Sequence, residues 1–347
     1  MQNTLNIERY ELLNKKVYQV LKTEIIKGAL KPGTKLLEGK IAEQMGVSRT
    51  PIREALRELA VEGFVKMREI KASHIIDKVK ELFLKANYHM NQDLMNRLQE
   101  VLEQETSPMG KSVLGMIIEN NKIASREEVP ICQDTGLAVV FVEVGQEVRL
   151  VDGDFVEAIN QGVKEAYKEG YLRKSVVDDP VFERKNTKTN TPAIIYTDIV
   201  PGDKIKFMVM PKGFGSENMS AIAMLKPADG EKGIVDFVVE TVKKAGPNPC
   251  PPTIIGVGIG GTIDKAMVIA KKAIVRKINQ PNKNPKFAAL EKEILTKINN
   301  LGICPAGLGG NITSLAVHID YLPTHIAGLP VAVNVCCHAA RHAEGIL

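Results

Sequence analysis

The chain has 347 residues, 44% of them hydrophobic and 25% charged, with a formal net charge of +5. That length suggests two domains of roughly 100–200 residues each, and the composition is ordinary for a soluble globular protein. The apolar runs at 137–142 and 253–259 fall far short of the roughly 18 residues that a membrane span needs, the N-terminus is unlike a signal peptide, and five cysteines are too few for a disulfide scaffold.

Residues 1–66 read as helices joined by short turns. Val17, Val20, Leu21 and Ile25 recur at helical spacing, and Gly28 followed by Pro32-Gly33 ends that helix. A second short helix covers about 38–45, a turn follows at Gly46-Val47, and a third helix runs from about 51 to 62. Thr50 suits its N-cap and Pro51 its first position, where a missing N–H costs nothing. Ile52, Leu56, Leu59 and Ala60 mark its apolar face. Arg49, Arg53 and Arg57 step by four, a positive ridge of the kind that a major-groove reader presents. A helical hairpin with a solvated basic face would show the same periodicity.

Two longer stretches separate these readings. Ile26-Lys27-Gly28-Ala29-Leu30-Lys31-Pro32-Gly33 and Ile41-Ala42-Glu43-Gln44-Met45-Gly46-Val47-Ser48-Arg49-Thr50-Pro51-Ile52-Arg53-Glu54-Ala55-Leu56 resemble the winged helix-turn-helix of GntR-type transcription regulators. The resemblance spans about 14–66 and implies that Arg49, Thr50 and Arg53 face DNA. After Gly63-Phe64-Val65 that family continues into a β-hairpin wing, whereas 66–70 here lead straight towards another helix. The wing is therefore expected to be missing or truncated, and the family's usual effector domain is missing too.

An amphipathic helix begins at Ser73, with Ile75, Ile76, Val79, Leu82 and Phe83 inward. After Met109 short β-rich runs alternate with helices: strands at 137–142 and 204–210, helices at 153–167 and 262–275. That alternation reads as α/β or α+β. The loop at 280–286, rich in Pro, Asn and Lys, is expected at the surface. The expected division is a small helical domain, 1–66, ahead of a larger domain, 67–347.

Chemistry-bearing residues cluster in the larger segment. Cys132 sits in Pro130-Ile131-Cys132-Gln133-Asp134-Thr135-Gly136, Cys250 in Gly246-Pro247-Asn248-Pro249-Cys250-Pro251-Pro252, and Cys336-Cys337 precede His338-Ala339-Ala340-Arg341-His342. Loops let distant thiolates converge on iron, whereas a structural Cys more often sits inside an apolar run. Cys304 also lies on a loop, so position alone leaves the set open. No C-x-x-C pair exists, which disfavours a zinc ribbon. Pro211-Lys212-Gly213-Phe214-Gly215-Ser216-Glu217-Asn218 offers donors suited to a carboxylate. Gly256-Val257-Gly258-Ile259-Gly260-Gly261 could cradle a phosphate or form a close-packed turn. No acidic residue follows at dinucleotide-binding distance.

From Met67 onward, about four-fifths of the chain resembles the α subunit of class I fumarase and L(+)-tartrate dehydratase. The carrying motifs are the Cys132 and Cys250 loops, Lys212 to Met219, Gly307-Leu308-Gly309-Gly310-Asn311, and Pro323-Thr324-His325 through His342. The resemblance implies a [4Fe–4S] cluster on Cys132, Cys250 and Cys337, with Cys304 and Cys336 outside the ligand set. It implies substrate contacts from Gln133, Arg173, Gly213 and Gly215. It also implies that Asp134, paired to His325, exchanges the proton at the leaving hydroxyl. Abstraction of the carbon-bound proton is expected from a separate β subunit, so the chain is not expected to act alone.

The leading expectation is thus an iron–sulfur hydro-lyase subunit in the cytoplasm, with no membrane partner. It would hydrate fumarate to malate or dehydrate tartrate, both C4 dicarboxylates. The competing expectation is a regulator that binds DNA through 1–66 and senses a dicarboxylate or a cluster. A third is that 1–66 is a fusion remnant.

Overall fold

The computed structural model describes residues 13–65 and 68–347. The boundary expected at 66/67 lies outside the described residues. Two compact units are present. The first holds the chain through Ile70 together with Val144–Val151 and Ile199–Ile205; the second holds the remainder.

In the first unit, α1 (Leu13–Ile26), α2 (Glu38–Met45) and α3 (Arg49–Val61) enclose a small core. Val17, Tyr18 and Leu21 of α1 pack with Ile41 and Ala42 of α2 and with Ile52, Ala55 and Leu59 of α3. Val20 faces solvent, unlike its neighbours in the expected apolar stripe. Gly46 ends α2 with φ 65°, the left-handed conformation that a glycine adopts without penalty. The next helix starts earlier than expected: Ser48 is its N-cap and Arg49 its first residue, so Thr50 and Pro51 fall inside the first turn. A short strand, β1 (Arg68–Lys71), follows. It pairs with Val148–Val151 in a two-stranded sheet, so its partner comes from far along the chain instead of from an adjacent wing strand.

The second unit continues with α4 (Ala72–Tyr88), α5 (Gln92–Gln104) and α6 (Pro108–Glu127). Then come β2 (Leu137–Gly145), β3 (the Val148–Val151 strand already met), α7 (Phe155–Glu169), β4 (Ile194–Val200) and β5 (Ile205–Lys212). A single turn, α8 (Phe214–Glu217), leads to β6 (Ala221–Leu225), α9 (Gly230–Ala245), β7 (Thr253–Gly260) and α10 (Ile263–Ala273). The chain closes with α11 (Pro285–Asn299), β8 (Ser314–Leu322), β9 (Leu329–Cys336) and β10 (Ala343–Ile346). Two four-stranded sheets result, ordered β10-β5-β2-β4 and β6-β9-β7-β8. Helix-covered mixed sheets are the α/β arrangement that the alternating pattern called for.

The second sheet positions the site. Strand β7 runs parallel to β8 and antiparallel to β9. One face, built from Ile255, Val257, Ile259, Val331, Val333 and Val335, packs on Val238 of α9 and Ile294 and Ile298 of α11. On the other face a Cβ at Gly256 or Gly258 would stand 2.0 Å from the carbonyl oxygens of Ala270 and Ala266. The glycine run is therefore the seat of α10, and the close-packed reading holds over the phosphate cradle.

Register fixes the two ends of this sheet. Ile254 lies opposite Cys336, Ile259 opposite Val331 and Gly260 opposite Leu322. Cys250 and Cys337 therefore lie at one end and the loop at 323–328 at the other. The paired span from Ile254 to Ile259 alone covers about 17 Å at a strand rise of about 3.3 Å per residue.

Candidate active site

Three loops meet at the Cys250 end of the sheet. The loop after α6 carries Cys132, Gln133 and Asp134. Ile131 and Thr135 bury on either side, while Gln133 stays exposed. Gly136 has φ 78°, and a Cβ there would stand 2.7 Å from the backbone nitrogen of Lys212. Only glycine lets this loop press onto the end of β5. Tyr167 of α7 is fully buried, with its hydroxyl 2.6 and 2.9 Å from the Thr135 and Gly136 carbonyls. Burial holds that phenol protonated, as a donor.

Asp134 is held from both sides. Its Oδ1 accepts the Gly136 N–H at 3.0 Å and its Oδ2 the Phe214 N–H at 2.9 Å. A Cβ on Gly213 would sit 3.4 Å from Asp134 Oδ2 and one on Gly215 3.8 Å from Asn248 O, so the Gly213–Gly215 turn lies between the Asp134 and Cys250 loops. The Thr135 hydroxyl donates to the Arg173 carbonyl at 3.0 Å, which ties the exposed Arg173 to the same loop.

The cysteines divide into groups. The N–H of His338, next to Cys337, donates to the Cys250 carbonyl at 3.4 Å, and desolvation together with the nearby Cys337 and Cys132 thiols pushes the Cys250 thiol up. A hydrogen bond from Cys336 holds Cys337 well below the usual thiol range, and the charges of His338, Arg341 and Lys212 act the same way. Cys304 is fully buried with its sulfur 3.8 Å from the Thr313 hydroxyl, on a turn whose Ala306 N–H donates to the Pro251 carbonyl at 2.9 Å. Cys336 is buried in β9 opposite Ile254. Among the described residues, no three or more His, Cys, Asp or Glu side chains close on a single-ion point. Three cysteine thiols on loops that meet at one end of the sheet are a donor set that suits an iron–sulfur group. Buried His338 Nδ1 and Arg341 Nε beside them have no hydrogen-bond partner among the described residues.

Several residues here carried no assigned role, and Lys212, expected among the donors of its loop, is turned inward. Arg341, 2% exposed, donates to the Asp134 carbonyl at 2.7 Å and reaches Asn87 Oδ1 at 3.4 Å. Lys212, 1% exposed, bonds Ser216 Oγ at 2.8 Å and pairs with Glu217, which also meets Lys271 and Asn334. Burial pushes the Glu217 carboxyl up, and its two lysines and hydrogen bonds more than reverse this, leaving it low. The carboxylate of Glu105, also buried, accepts the N–H groups of Thr106, Ser107, Asn311 and Ile312 and so anchors the Gly307–Asn311 loop. Arg341, Lys212 and Glu217 stand inside the motifs quoted above. Asn334 lies within the last of those motifs too, whereas Glu105 and Lys271 have no local signal.

His325 is placed apart. It lies in the exposed loop at the opposite end of the sheet, where its Nδ1 accepts the Ala327 N–H at 3.2 Å. The expected Asp134–His325 pair does not form within one chain, because β8 and β9 stand between the two loops. In the first unit, Arg49 and Thr50 are exposed at the start of α3. Arg53 is instead engaged by Glu38 through two bonds of 3.0 Å.

The family model described as Fumarate hydratase (Fumerase) matches residues 76–346. The model for bacterial regulatory proteins of the gntR family matches 13–75. A Methanocaldococcus jannaschii protein provisionally named L(+)-tartrate dehydratase subunit alpha is 46% identical over 275 residues, covering 78% of this chain and 96% of the relative. The L(+)-tartrate dehydratase subunit alpha of Escherichia coli UTI89 is 35% identical over 284 residues, and that of strain K12 is 34% identical over 283. Each of these alignments covers 79% of this chain and 92% of the relative. With a gntR-type segment ahead of its larger domain, the chain belongs to the fumarate hydratase (Fumerase) family of hydro-lyases.

Proposed function

We propose that the chain is the α subunit of a [4Fe–4S] hydro-lyase acting on a C4 dicarboxylate, fumarate or tartrate, with a β subunit completing the site. The observation that carries this reading is the meeting of the three cysteine loops: His338 N–H, next to Cys337, donates to the Cys250 carbonyl at 3.4 Å, and Arg341 of the same segment donates to the Asp134 carbonyl at 2.7 Å, two residues from Cys132. Cys132, Cys250 and Cys337 would hold the cluster. When bound, it supplies one iron without a cysteine ligand, a Lewis acid for the substrate's hydroxyl and carboxylate.

The remaining residues bind, orient and move a proton. The exposed Arg173 guanidinium is a two-pronged donor for a substrate carboxylate. Gln133 offers an exposed amide on the Asp134 loop. Gly213 and Gly215 keep side chains out of the space between Asp134 and Asn248. Asp134 gives the proton that turns the departing hydroxide into water, and takes it back in the hydration direction. Its two backbone donors and the Arg341 clamp fix the carboxyl before substrate arrives. The proton on carbon leaves to a base on the partner subunit. The chain has free thiols, and among the described residues no helix is long and apolar enough to cross a membrane. These features suit a reducing cytoplasm.

The test is hydration of fumarate and dehydration of tartrate by the anaerobically loaded chain with its β partner. Activity on one or both is expected with the pair and none with the chain alone; a pair that turns over neither contradicts the reading.

A second reading concerns the first unit. The gntR-family match and the exposed Arg49 and Thr50 favour DNA binding by α3, with Arg53 available only if its Glu38 contact opens. Full-length chain should then bind promoter DNA with an affinity that falls steeply as salt rises. No binding at low salt would leave the segment a fusion remnant.

A further inference from the structure

Strand β8 lies at the edge of the second sheet. Alternate residues of an edge strand turn their N–H and C=O away from the sheet, where both need partners. Ile319 has them: its N–H donates to Glu291 at 2.7 Å, and its carbonyl accepts Asn282 Nδ2 at 2.6 Å and Arg276 Nη1 at 3.2 Å. Further back, the Leu315 carbonyl accepts Arg97 Nε at 3.3 Å. Val317, two residues before Ile319, turns its N–H and C=O the same way. Among the described residues neither group meets a partner on that side.

A cavity of about 380 Å³ opens there, between β8, α5, α11 and the loop at 278–281. His318 lines it too and is 2% exposed. Its Nδ1–H donates to the Ala273 carbonyl at 3.1 Å, which makes Nε2 an acceptor, and that atom has no partner among the described residues. The cavity thus gathers one donor and two acceptors left without protein partners, and buried groups of this kind are costly to leave unmet. Its charges are largely spent on one another. Arg97 pairs with Glu100 and Glu291 with Arg276, while Asp93 accepts the Ile278 N–H at 2.9 Å. Three acids, Asp93, Glu100 and Glu291, stand against two bases, Arg97 and Lys292, so an anion gains nothing here.

We propose that this cavity binds a small neutral nitrogen heterocycle of the nucleobase type. One edge of such a ring sets a donor beside an acceptor, the pattern that meets the Val317 C=O and N–H together. A further ring N–H reaches His318 Nε2, and Ile278, Pro281 and Leu295 supply apolar wall for the ring faces. The volume sits at the low end of the about 300–1,000 Å³ usual for small-molecule sites, which suits one ring system. No lining residue belongs to the cysteine loops or to the Gly213–Gly215 turn, so this site and the hydro-lyase reading stand or fall separately.

Calorimetric titration of the full-length chain tests it, with adenine and hypoxanthine as neutral bases and adenosine monophosphate as the charged control. At least one base should bind with a Kd below about 100 μM, and the monophosphate should bind about ten-fold more weakly or not at all. Two variants locate the binding. Ala288→Phe, on the half-buried face of α11, fills the cavity, and His318→Asn keeps a donor for Ala273 but leaves nothing where Nε2 stood. Each should weaken the base by about ten-fold or more, the scale of one lost buried hydrogen bond. No heat from either base at 1 mM would overturn the proposal, as would a monophosphate that binds more tightly than the bases. Unchanged affinity in both variants would place the base elsewhere and overturn it too.

Discussion

Gly136 shows how narrowly the site is set at the scale of one residue. Its φ of 78° and the 2.7 Å from its would-be Cβ to the Lys212 nitrogen leave no room for a side chain. Gly136→Ala should cost about 2–4 kcal/mol, as backbone strain and overpacking act together. Urea unfolding measures it, and a loss under 1 kcal/mol would contradict this packing. The cysteine loops were legible in the sequence because Gly and Pro flank the thiols and the surrounding motifs are long. Arg341 and Lys212 lay inside those motifs, yet their burial and their partners depend on folded neighbours. Glu105 is the clearest miss. It reads as one more surface acid at the end of a helix, and its role arises only when a loop some two hundred residues later arrives with its N–H groups. The Asp134–His325 pair is not made within one chain, because strand register carries the two loops to opposite ends of the second sheet, a separation that no local motif records.

At the scale of elements, periodicity recovered the helices and the central strands well. Residues 137–142 became β2 and 204–210 became β5, each shifted or extended by a few positions. Helix starts were less legible, as Ser48 took the cap given to Thr50. The partner of β1 was invisible, since strand pairing over such a separation leaves no local pattern. The seam between β8 and α10 has a consequence for pH. His318, 2% exposed, lies against the Ala273 carbonyl at 3.1 Å, and burial together with the Arg276 charge lowers its pKa to about 4. The unfolded chain takes up this proton from about pH 6.5 downward, and the folded chain does so only near pH 4. The stability this group contributes is therefore complete above pH 6.5 and lost as pH falls towards 4. His318→Asn keeps a donor for Ala273 and removes the titration. Between pH 7 and 4.5 the wild type should lose about 2–3 kcal/mol more than this variant in urea unfolding. Equal losses would contradict a neutral buried imidazole.

The whole molecule joins two functional vocabularies in one chain, a gntR-type segment and a hydro-lyase domain. The sequence alone separated them, because their motifs are distinct and local. It gave no sign that the cysteine end and the imidazole end of one sheet lie apart, which follows only from strand register. The central claim, a cluster on three named cysteines, is tested most directly by iron content after anaerobic loading. Wild type, Cys304→Ser and Cys336→Ala should each hold about four iron atoms per chain, and Cys132→Ser, Cys250→Ser and Cys337→Ser should each lose most of them. Full iron in all three of the latter, or its loss in Cys304→Ser, would contradict the account.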